Sequence, residues 1–227
     1  MSGTIPCQMS AVKDTSLRRP YAGQTGHERA ARRRDALIEA AFALVAEEGW
    51  RQLRIERICR RAALNKRYFY ESFDGLDAVI GAVMRHLADE AIDVTLAALD
   101  PSASEEEFVH NGISALVHHV TDDPRRARVL FGATPAGEAA SAHRAAAIRK
   151  IVAAVAEQGR SYGAIADDPV IDIAAAMLVG GTSQAVLDWL DEPRDIPREE
   201  FIDELAALWK IIGDGAAKRA RRRAAGA

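Results

Sequence analysis

The sequence is short of the residues that build covalent or metal-bound cores. It contains only two cysteines in 227 residues. Cys7 falls in a segment with the composition of a tail, and Cys59 falls inside a helical pattern, so we expect no structural disulfide and a cytoplasmic, reducing location. No cysteine and histidine residues have the spacing of zinc ligands, and we predict neither a metal nor a cofactor.

The motifs of the common enzyme classes are also missing. The chain has no glycine-rich phosphate loop, no Gly-x-Ser-x-Gly turn and no His-Glu-x-x-His helix. The adjacent His118 and His119 point to different faces of one helix. Glu105, Glu106 and Glu107 lie at a predicted helix N-terminus, where acidic groups complement the helix dipole. We therefore predict that the protein is not an enzyme. A small all-helical enzyme is the least favoured hypothesis, after a DNA-binding regulator and a protein-interaction module.

Long apolar runs are a further absence. No uninterrupted apolar segment has the length that spans a membrane, and the N-terminal residues contain no continuous apolar segment of the signal-peptide type. We therefore expect no membrane partner.

Glycine and proline are sparse, with 16 and 8 residues, while 48% of the chain is hydrophobic. Alanine is abundant, which favours helix. Apolar residues recur at helical spacing from residue 28 onward, and no segment alternates as a strand does. The sequence therefore predicts an all-α protein of about nine helices.

Some helix ends can be placed from local signals. The first helix is expected over 28–48, ended by Gly49. Asp74 is expected to cap a helix over 76–99, and Ser104 with Glu107 forms a possible capping box. The last helix is expected to end at the Gly213-Asp214-Gly215 segment, followed by a solvated basic run.

The formal net charge of −3 does not favour a nucleic-acid partner. The distribution of charge does, because residues 29–73 carry an excess of basic side chains while the rest is acidic apart from the extreme C-terminus. A mildly acidic protein can bind DNA through one basic face.

The most informative stretch is 54–73, which predicts two helices joined by a tight turn. Ile55 and Ile58 give the first helix one apolar face. Asn65 is a good N-cap, so that a second helix can begin at Lys66. We call residues 54–73 the basic hairpin.

The second helix of the basic hairpin has the chemistry of a DNA-reading element. Phe69 and Phe73 share its apolar face, and cationic and tyrosine side chains cover the rest. Cations neutralise phosphates, tyrosine hydroxyls bond phosphate oxygens, and an arginine can bond the edge of a guanine through two donors. We predict base contacts from Arg67, Tyr68 and Glu71. The predicted contacts to the DNA backbone are Arg32, Arg33, Arg34, Arg54, Lys66 and Tyr70. Asn65 is also predicted among the DNA-binding residues.

Two other interpretations of the basic hairpin remain open at this point. It could be an ordinary helical hairpin with a solvated basic face. It could also belong to a helical protein-interaction module that binds an acidic partner. A steep salt dependence together with a preference for a palindromic duplex would separate a DNA-binding protein from both.

The hairpin and its flanking helices resemble the N-terminal domain of TetR-family transcriptional repressors over residues 33–80. Phe69, Tyr70 and Phe73 match the core of that family's recognition helix, and Lys66 and Ile58 match its frequent lysine and isoleucine. The positions that depart from the family's pattern are Arg54 at a capping position, Ala63 at the turn glycine, Asn65 at a serine and Leu76 at a lysine.

The resemblance implies a division of the chain and a mode of assembly. The expected parts are a flexible arm over 1–27, a helix-turn-helix DNA-binding domain over 28–75, a ligand-binding and dimerisation domain over 76–216 and a basic tail over 217–227. It also implies a homodimer through the last two long helices, where Gly180 and Gly181 would allow close approach. The expected partner is a palindromic double-stranded DNA operator.

The resemblance further implies a pocket for a small-molecule effector among the middle helices, and a repressor that the effector releases from DNA. The sparse polar residues there favour an apolar or amphipathic ligand. For each candidate lining residue the alternative is an ordinary core position. These candidates are Met84, Phe108, Leu116, Phe131, Ile148 and Met177.

Overall fold

The computed structural model describes residues 26–132, 138–163, 168–191 and 196–226. In these ranges the chain forms nine α-helices, a short 3-10 helix over Trp50–Gln52 and no strand, which confirms the all-α prediction. The helices are α1 (Gly26–Glu48), α2 (Ile55–Arg61), α3 (Lys66–Ser72), α4 (Leu76–Ala97), α5 (Glu105–Asp122), α6 (Pro124–Leu130), α7 (Glu138–Gly163), α8 (Pro169–Asp191) and α9 (Arg198–Ala224).

Helices α1, α2 and α3 pack around a small apolar core. Leu37 of α1, Ile58 of α2 and Phe69 of α3 are fully buried there, and the first half of α4 closes the same core with Val79 and Val83. Burial of these side chains stabilises the short α2 and α3, which are each too short to be stable alone. The core therefore fixes how α3 is presented.

The predicted cap of α3 is confirmed. Asn65 has extended backbone angles, and its Oδ1 accepts a hydrogen bond from the amide of Tyr68 at 3.2 Å. By contrast, Arg54 occupies the N-cap of α2 without any side-chain capping bond. Its guanidinium instead donates to the carbonyl oxygens of Arg51 and Leu53, each at 2.8 Å.

The expected cap of α4 is wrong. The N-cap residue is Gly75, and no side chain bonds to the first amides of α4, so Asp74 does not cap the helix. The capping box before α5 is confirmed, because Ser104 and Glu107 exchange both of their bonds.

Helix α9 continues well beyond its predicted end. It passes through Gly213 and Gly215 to Ala224, so the expected basic tail over 217–227 is mostly helical in the described part. Each glycine costs about 1 kcal/mol relative to alanine. Ala216 and Ala220 offset this cost by packing against α7 and α8 through Ala156 and neighbouring side chains.

The N-terminal arm lies outside the described residues, except that residues 26 and 27 already belong to α1. Helix α7 is described from Glu138 onward.

Helix α8 corrects the expectation about apolar runs. By length and composition it is sufficiently apolar to cross a membrane, with a mean hydropathy of 1.6. One side of it packs within the bundle, where Ile171, Ala175, Leu178 and Val186 are buried. This packing is typical of a helix in the core of a helical domain.

Helices α4 and α7 run side by side in the same direction. His143 of α7 contacts Asp77 and Gly81 near the start of α4, and about two to three turns later Lys150 pairs with Asp89. Helix α9 runs antiparallel to α5 and α8. Helix α4 therefore belongs both to the core beneath α3 and to the larger bundle.

Candidate nucleic-acid interface

Helix α3 presents a polar, mainly exposed surface opposite its phenylalanines. The rings of Phe69 and Phe73 pack with their centroids 5.6 Å apart, tilted by 44°, and both are buried. Lys66, Arg67 and Tyr70 point outward, and the side chain of Tyr70 is 59% exposed. Burial of one face thus leaves the predicted contact residues available to a partner.

Lys66 is held in an ion pair with Glu56 of α2. The hydrogen bond from Lys66 lowers the pKa of Glu56, and the same bond raises the pKa of Lys66. Both side chains are more than half exposed, so the pair contributes little to stability. A phosphate oxygen can replace the Glu56 carboxylate on the ammonium without leaving a buried charge unpaired.

Four of the predicted contact residues form one network between α1 and α3. The Arg67 Nε donates to Glu71 at 2.9 Å, and Arg33 of α1 lies 3.8 Å from the other oxygen of the same carboxylate. The guanidinium of Arg33 also covers the ring of Tyr68 at 4.4 Å. Arg33, Arg67, Tyr68 and Glu71 are therefore preorganised relative to one another.

Two other predicted contacts have intramolecular roles. The Nη1 of Arg34 donates to the carbonyl of Ser72 at 2.6 Å, and its guanidinium lies 4.3 Å from the centre of the Phe73 ring. Arg34 thereby ties α1 to the end of α3, as Asn65 caps the beginning of α3. Arg32 and Arg54 are exposed.

Several charged residues around the basic hairpin were not predicted from the sequence. Glu47 and Glu48 at the end of α1 pair with Arg61 and Arg57 of α2. Arg60 is exposed four residues after Glu56, so it shares a face of α2 with the partner of Lys66. This four-residue spacing is visible in the sequence and identifies Arg60 as an additional candidate for a phosphate contact.

Cys59 is buried in α2, as expected for a small hydrophobic side chain. Burial raises the pKa of its thiol, so little reactive thiolate forms near neutral pH. The hairpin chemistry therefore rests on charges and aromatic side chains.

Comparison with known families decides the nature of this domain. Residues 37–83, from the middle of α1 into α4, match the family model described as bacterial regulatory proteins, tetR family. This stretch is a TetR-family DNA-binding domain. TetR-family regulators are DNA-binding transcription factors rather than enzymes. This agrees with the prediction that the hairpin binds DNA and with the prediction that the protein is not an enzyme.

Solved structures share the TetR-family fold over most of the chain. A tetR-family transcriptional regulator from Streptomyces coelicolor superposes with a TM-score of 0.66 at 17% identity, covering 86% of each chain. The fatty acid degradation regulator FadR from Bacillus halodurans superposes with a TM-score of 0.64 at 16% identity, covering 78% of this chain and 94% of the other. No curated protein matches the chain in sequence.

Beyond this domain, the chain contains a cavity of about 490 Å³ among α4, α5, α7, α8 and α9. Phe108, Leu116 and Phe131 line it, as the sequence analysis expected. Many of the other lining residues come from α8 and α9, where Met177 was the one lining residue expected from the sequence and the main expected role was assembly. Those residues include Ile171, Leu178, Thr182, Trp209, Lys210 and Arg221.

Three of the expected lining residues lie elsewhere. Met84 has no exposed surface and is part of the core beneath α3, and Ile148 packs against that same core. Met177 is 62% exposed on the outer face of α8. The apolar pattern identified all three as helix-face residues but did not say which neighbouring helix, cavity or outer surface each faces.

Proposed function

We propose that this protein is a ligand-responsive repressor that binds a palindromic operator as a homodimer and leaves it when a small molecule occupies the cavity. The observation that carries the proposal is the outward surface of α3 within the domain matched by the TetR family model. In the proposed division, residues 28–75 bind DNA, and the bundle that follows binds the effector and the second protomer. The proposed place of action is the cytoplasm.

The proposed DNA contacts follow from the geometry around α3. Lys66 exchanges Glu56 for a phosphate, and Tyr70 bonds a neighbouring phosphate. Arg67, steadied by Glu71, reaches a base edge in the major groove. Arg32 and Arg54 contact the phosphate backbone of the DNA, and Arg33 and Arg34 mainly position α3.

The proposed dimer rests on the outer surface of α8 and α9. Ile173, Met177, Leu208 and Ile211 are more than half exposed, and Gly180 and Gly181 leave open space beside the α8 backbone. An apolar surface of this kind gains stability when a second copy covers it. A two-fold dimer would present two α3 helices to the two halves of a palindrome.

The proposed switch uses helix α4. Its first half packs beneath α3, and its second half lines the cavity through Ala91, Ile92 and Leu96. A ligand that fits one position of α4 better than another changes DNA affinity by the ratio of its affinities for the two states.

The primary test is selection of bound fragments from random double-stranded DNA by the purified full-length protein. We expect a two-fold symmetric motif and an affinity that falls steeply with salt. Enrichment of no motif, or equal binding to random duplex, would contradict the proposal and favour a basic surface for an acidic protein partner.

Two variants then test the division of roles on α3. Arg67→Ala is expected to cost about 1–3 kcal/mol of specific binding and to relax base preference at one position of each half-site. Lys66→Ala is expected to weaken binding to all sequences and to reduce the salt slope by about 1. Equal effects of both substitutions on specific and random DNA would reject the assignment.

A further inference from the structure

We infer that Arg67 reads a guanine in each half of the operator, and that Glu71 and Arg33 are positioning residues that hold its guanidinium for this contact. We take α3 as the helix that enters the major groove, as in the proposed function on which this contact rests. The identity of the base is new. Glu71, predicted from the sequence to contact a base, takes a different role.

Arg67 and Glu71 lie on the line of α3 that faces directly away from the protein. Each is two residues from the buried Phe69, which places it about 160° around the helix from that side chain, at about 100° per residue. On the same count Lys66 is about 60° and Tyr70 about 100° from Phe69. When α3 enters the groove, Arg67 and Glu71 therefore face the base edges. Lys66 and Tyr70 lie toward the phosphates at the wall of the groove.

The guanidinium of Arg67 extends from this line into solvent. Its side chain is 82% exposed, and the one side-chain hydrogen bond that it makes in the described residues joins Nε to Glu71 Oε1 at 2.9 Å. An arginine has five N–H donors, and four of them are on Nη1 and Nη2. The bond through Nε therefore leaves the end of the guanidinium, where one N–H from each of these nitrogens points the same way, open to a partner.

Glu71 is in turn held from its other side. Its Oε2 lies 3.8 Å from Nη2 of Arg33, which belongs to α1, and the Arg33 guanidinium covers the Tyr68 ring at 4.4 Å. The side chain of Arg33 is only 27% exposed. An ion pair between neighbours on one exposed helix is weak, so this contact with α1 supplies a restraint that the pair of Glu71 and Arg67 alone would lack.

The carboxylate of Glu71 serves Arg67 rather than a base. One of its oxygens accepts the bond from Arg67, and the other faces Arg33, so cations engage both. The two guanidinium groups also offset its negative charge, which would otherwise repel the phosphates on either side of the groove. Glu71 thus orients Arg67 without weakening the attraction of α3 to DNA.

Guanine is the base that matches the open end of Arg67. Its major-groove edge presents two acceptors side by side, O6 and N7, for two parallel N–H groups. Adenine replaces one of these acceptors with an amino donor, thymine presents one acceptor beside a methyl group, and cytosine presents a donor. Only guanine therefore accepts both bonds from an arginine that is held at its Nε.

The test begins with the motif selected from random duplex DNA by the full-length protein. We expect a guanine at the strongest position of each half-site, and its replacement by another base should weaken binding about 5- to 150-fold. Replacement by 7-deazaguanine removes N7 but keeps the base pair. It should weaken wild-type binding about tenfold, the effect of losing one hydrogen bond to a charged group.

Arg67→Ala and Lys66→Ala assign the guanine to one side chain. In Arg67→Ala the penalty for 7-deazaguanine should vanish, because the donor to N7 is gone. Lys66→Ala removes a cation at the neighbouring position and is the matched control. In this variant the penalty should remain about tenfold on a weaker overall affinity.

Glu71→Met tests the positioning role, because simple electrostatics predicts a different result. If only the charge mattered, removing this carboxylate would tighten binding to every sequence alike. Because Glu71 orients Arg67, we expect binding to random duplex to tighten or stay the same while the preference for guanine falls about three- to tenfold. Glu47→Met is the matched control, since Glu47 pairs with Arg61 and is 44% exposed against 41% for Glu71. It should leave the preference for guanine unchanged.

Failure of the guanine contact and failure of DNA recognition give different results. Selection of no two-fold motif would contradict both this contact and the proposed function. A two-fold motif without guanine at its strongest positions, or a 7-deazaguanine penalty that persists in Arg67→Ala, would overturn the guanine contact alone. An unchanged guanine preference in Glu71→Met, or an equal loss in Glu47→Met, would reject the positioning role.

Discussion

Ala63 is a strained residue in the turn between α2 and α3. Its φ of 53° lies in the left-handed region, and it is the one non-glycine residue with positive φ in the described ranges. A side chain in this region costs about 1–2 kcal/mol because its Cβ crowds the following carbonyl. The sequence comparison had already marked Ala63 as the position of a turn glycine.

Ala63→Gly is therefore expected to stabilise the protein by about 0.5–1 kcal/mol, since relief of the strain exceeds the extra entropy that glycine loses on folding. Urea unfolding measures the difference. The control is Ala62→Gly at the neighbouring position, which has helical angles and should lose about as much as Ala63→Gly gains. Loss of stability in both variants would show that the turn is not strained.

The ion-pair partner of Lys66 could not be predicted from the sequence. Glu56 lies ten residues earlier on another helix, and only the packing of α2 against α3 brings the two charges together. The Asn65 cap and the Ser104 capping box could be predicted because their partners lie three residues away. Local hydrogen bonds follow from spacing, whereas bonds between helices require the fold.

Glu56→Gln is expected to tighten binding to the selected DNA site about two- to fivefold, because phosphate no longer competes with a carboxylate for Lys66. The slope of log affinity against log salt concentration should become steeper by up to about 1. Fluorescence anisotropy over a range of salt concentrations measures both quantities. Asp89→Asn removes a paired carboxylate from α4 and should change neither; unchanged affinity of Glu56→Gln would place Lys66 outside the DNA contact.

At the scale of the helices, the sequence predicted about nine helices and placed the beginnings of α3, α4 and α5. The clear failure is α9, where Gly213 and Gly215 suggested an end and the helix continues to Ala224. The reason is tertiary: Ala216 and Ala220 are buried against α7 and α8, and Arg223 pairs with Asp168 at 3.0 Å. Glycine raises the cost of a helix, but packing decides whether the helix forms.

The contact between α4 and α7 near the DNA-binding helices depends on a glycine. A Cβ added to Gly81 would lie 2.7 Å from Cε1 of His143, whose Nε2 is 3.0 Å from Asp77. The imidazole thus fills the space that a side chain at position 81 would need. This contact holds α7 to the first turns of α4.

Gly81→Ala is expected to destabilise the protein by about 1 kcal/mol, because overpacking outweighs the better helix propensity of alanine. In a His143→Ala background the same substitution should stabilise by about 0.5–1 kcal/mol, since the space is then free. A double-mutant cycle by thermal or urea unfolding measures this reversal. The same sign in both backgrounds would mean that His143 does not occupy the space beside Gly81.

At the scale of the molecule, the sequence indicated which helices carry each role but not which residue faces which neighbour. Phe108 and Leu116 line the cavity, whereas Met84 lies in the core and Met177 on the outer surface. All four fit the same helical periodicity. Periodicity gives the face of a helix, and only the arrangement of the other helices decides what that face meets.

The outer surface of α8 and α9 leads to a prediction about the dimer interface. Six large hydrophobic side chains are exposed in the described residues, and four of them lie on these two helices. Ile173 and Met177 are one turn apart on α8, and Leu208 and Ile211 are one turn apart on α9, so each pair forms a continuous apolar strip. Met177→Glu combined with Ile211→Glu would place two carboxylates from each protomer in the proposed dimer interface, where burying unpaired charges costs several kcal/mol each.

We expect the double variant to sediment as a folded monomer at concentrations where the wild type is dimeric. Its affinity for the full palindrome should fall at least 100-fold, while its weak binding to an isolated half-site stays the same, because α3 is untouched. Ala142→Glu with Ala145→Glu adds the same charge on an exposed face of α7 and should leave the dimer intact. A double variant that still sediments as a dimer would move the interface away from α8 and α9, and with it the geometry by which two α3 helices reach one palindrome.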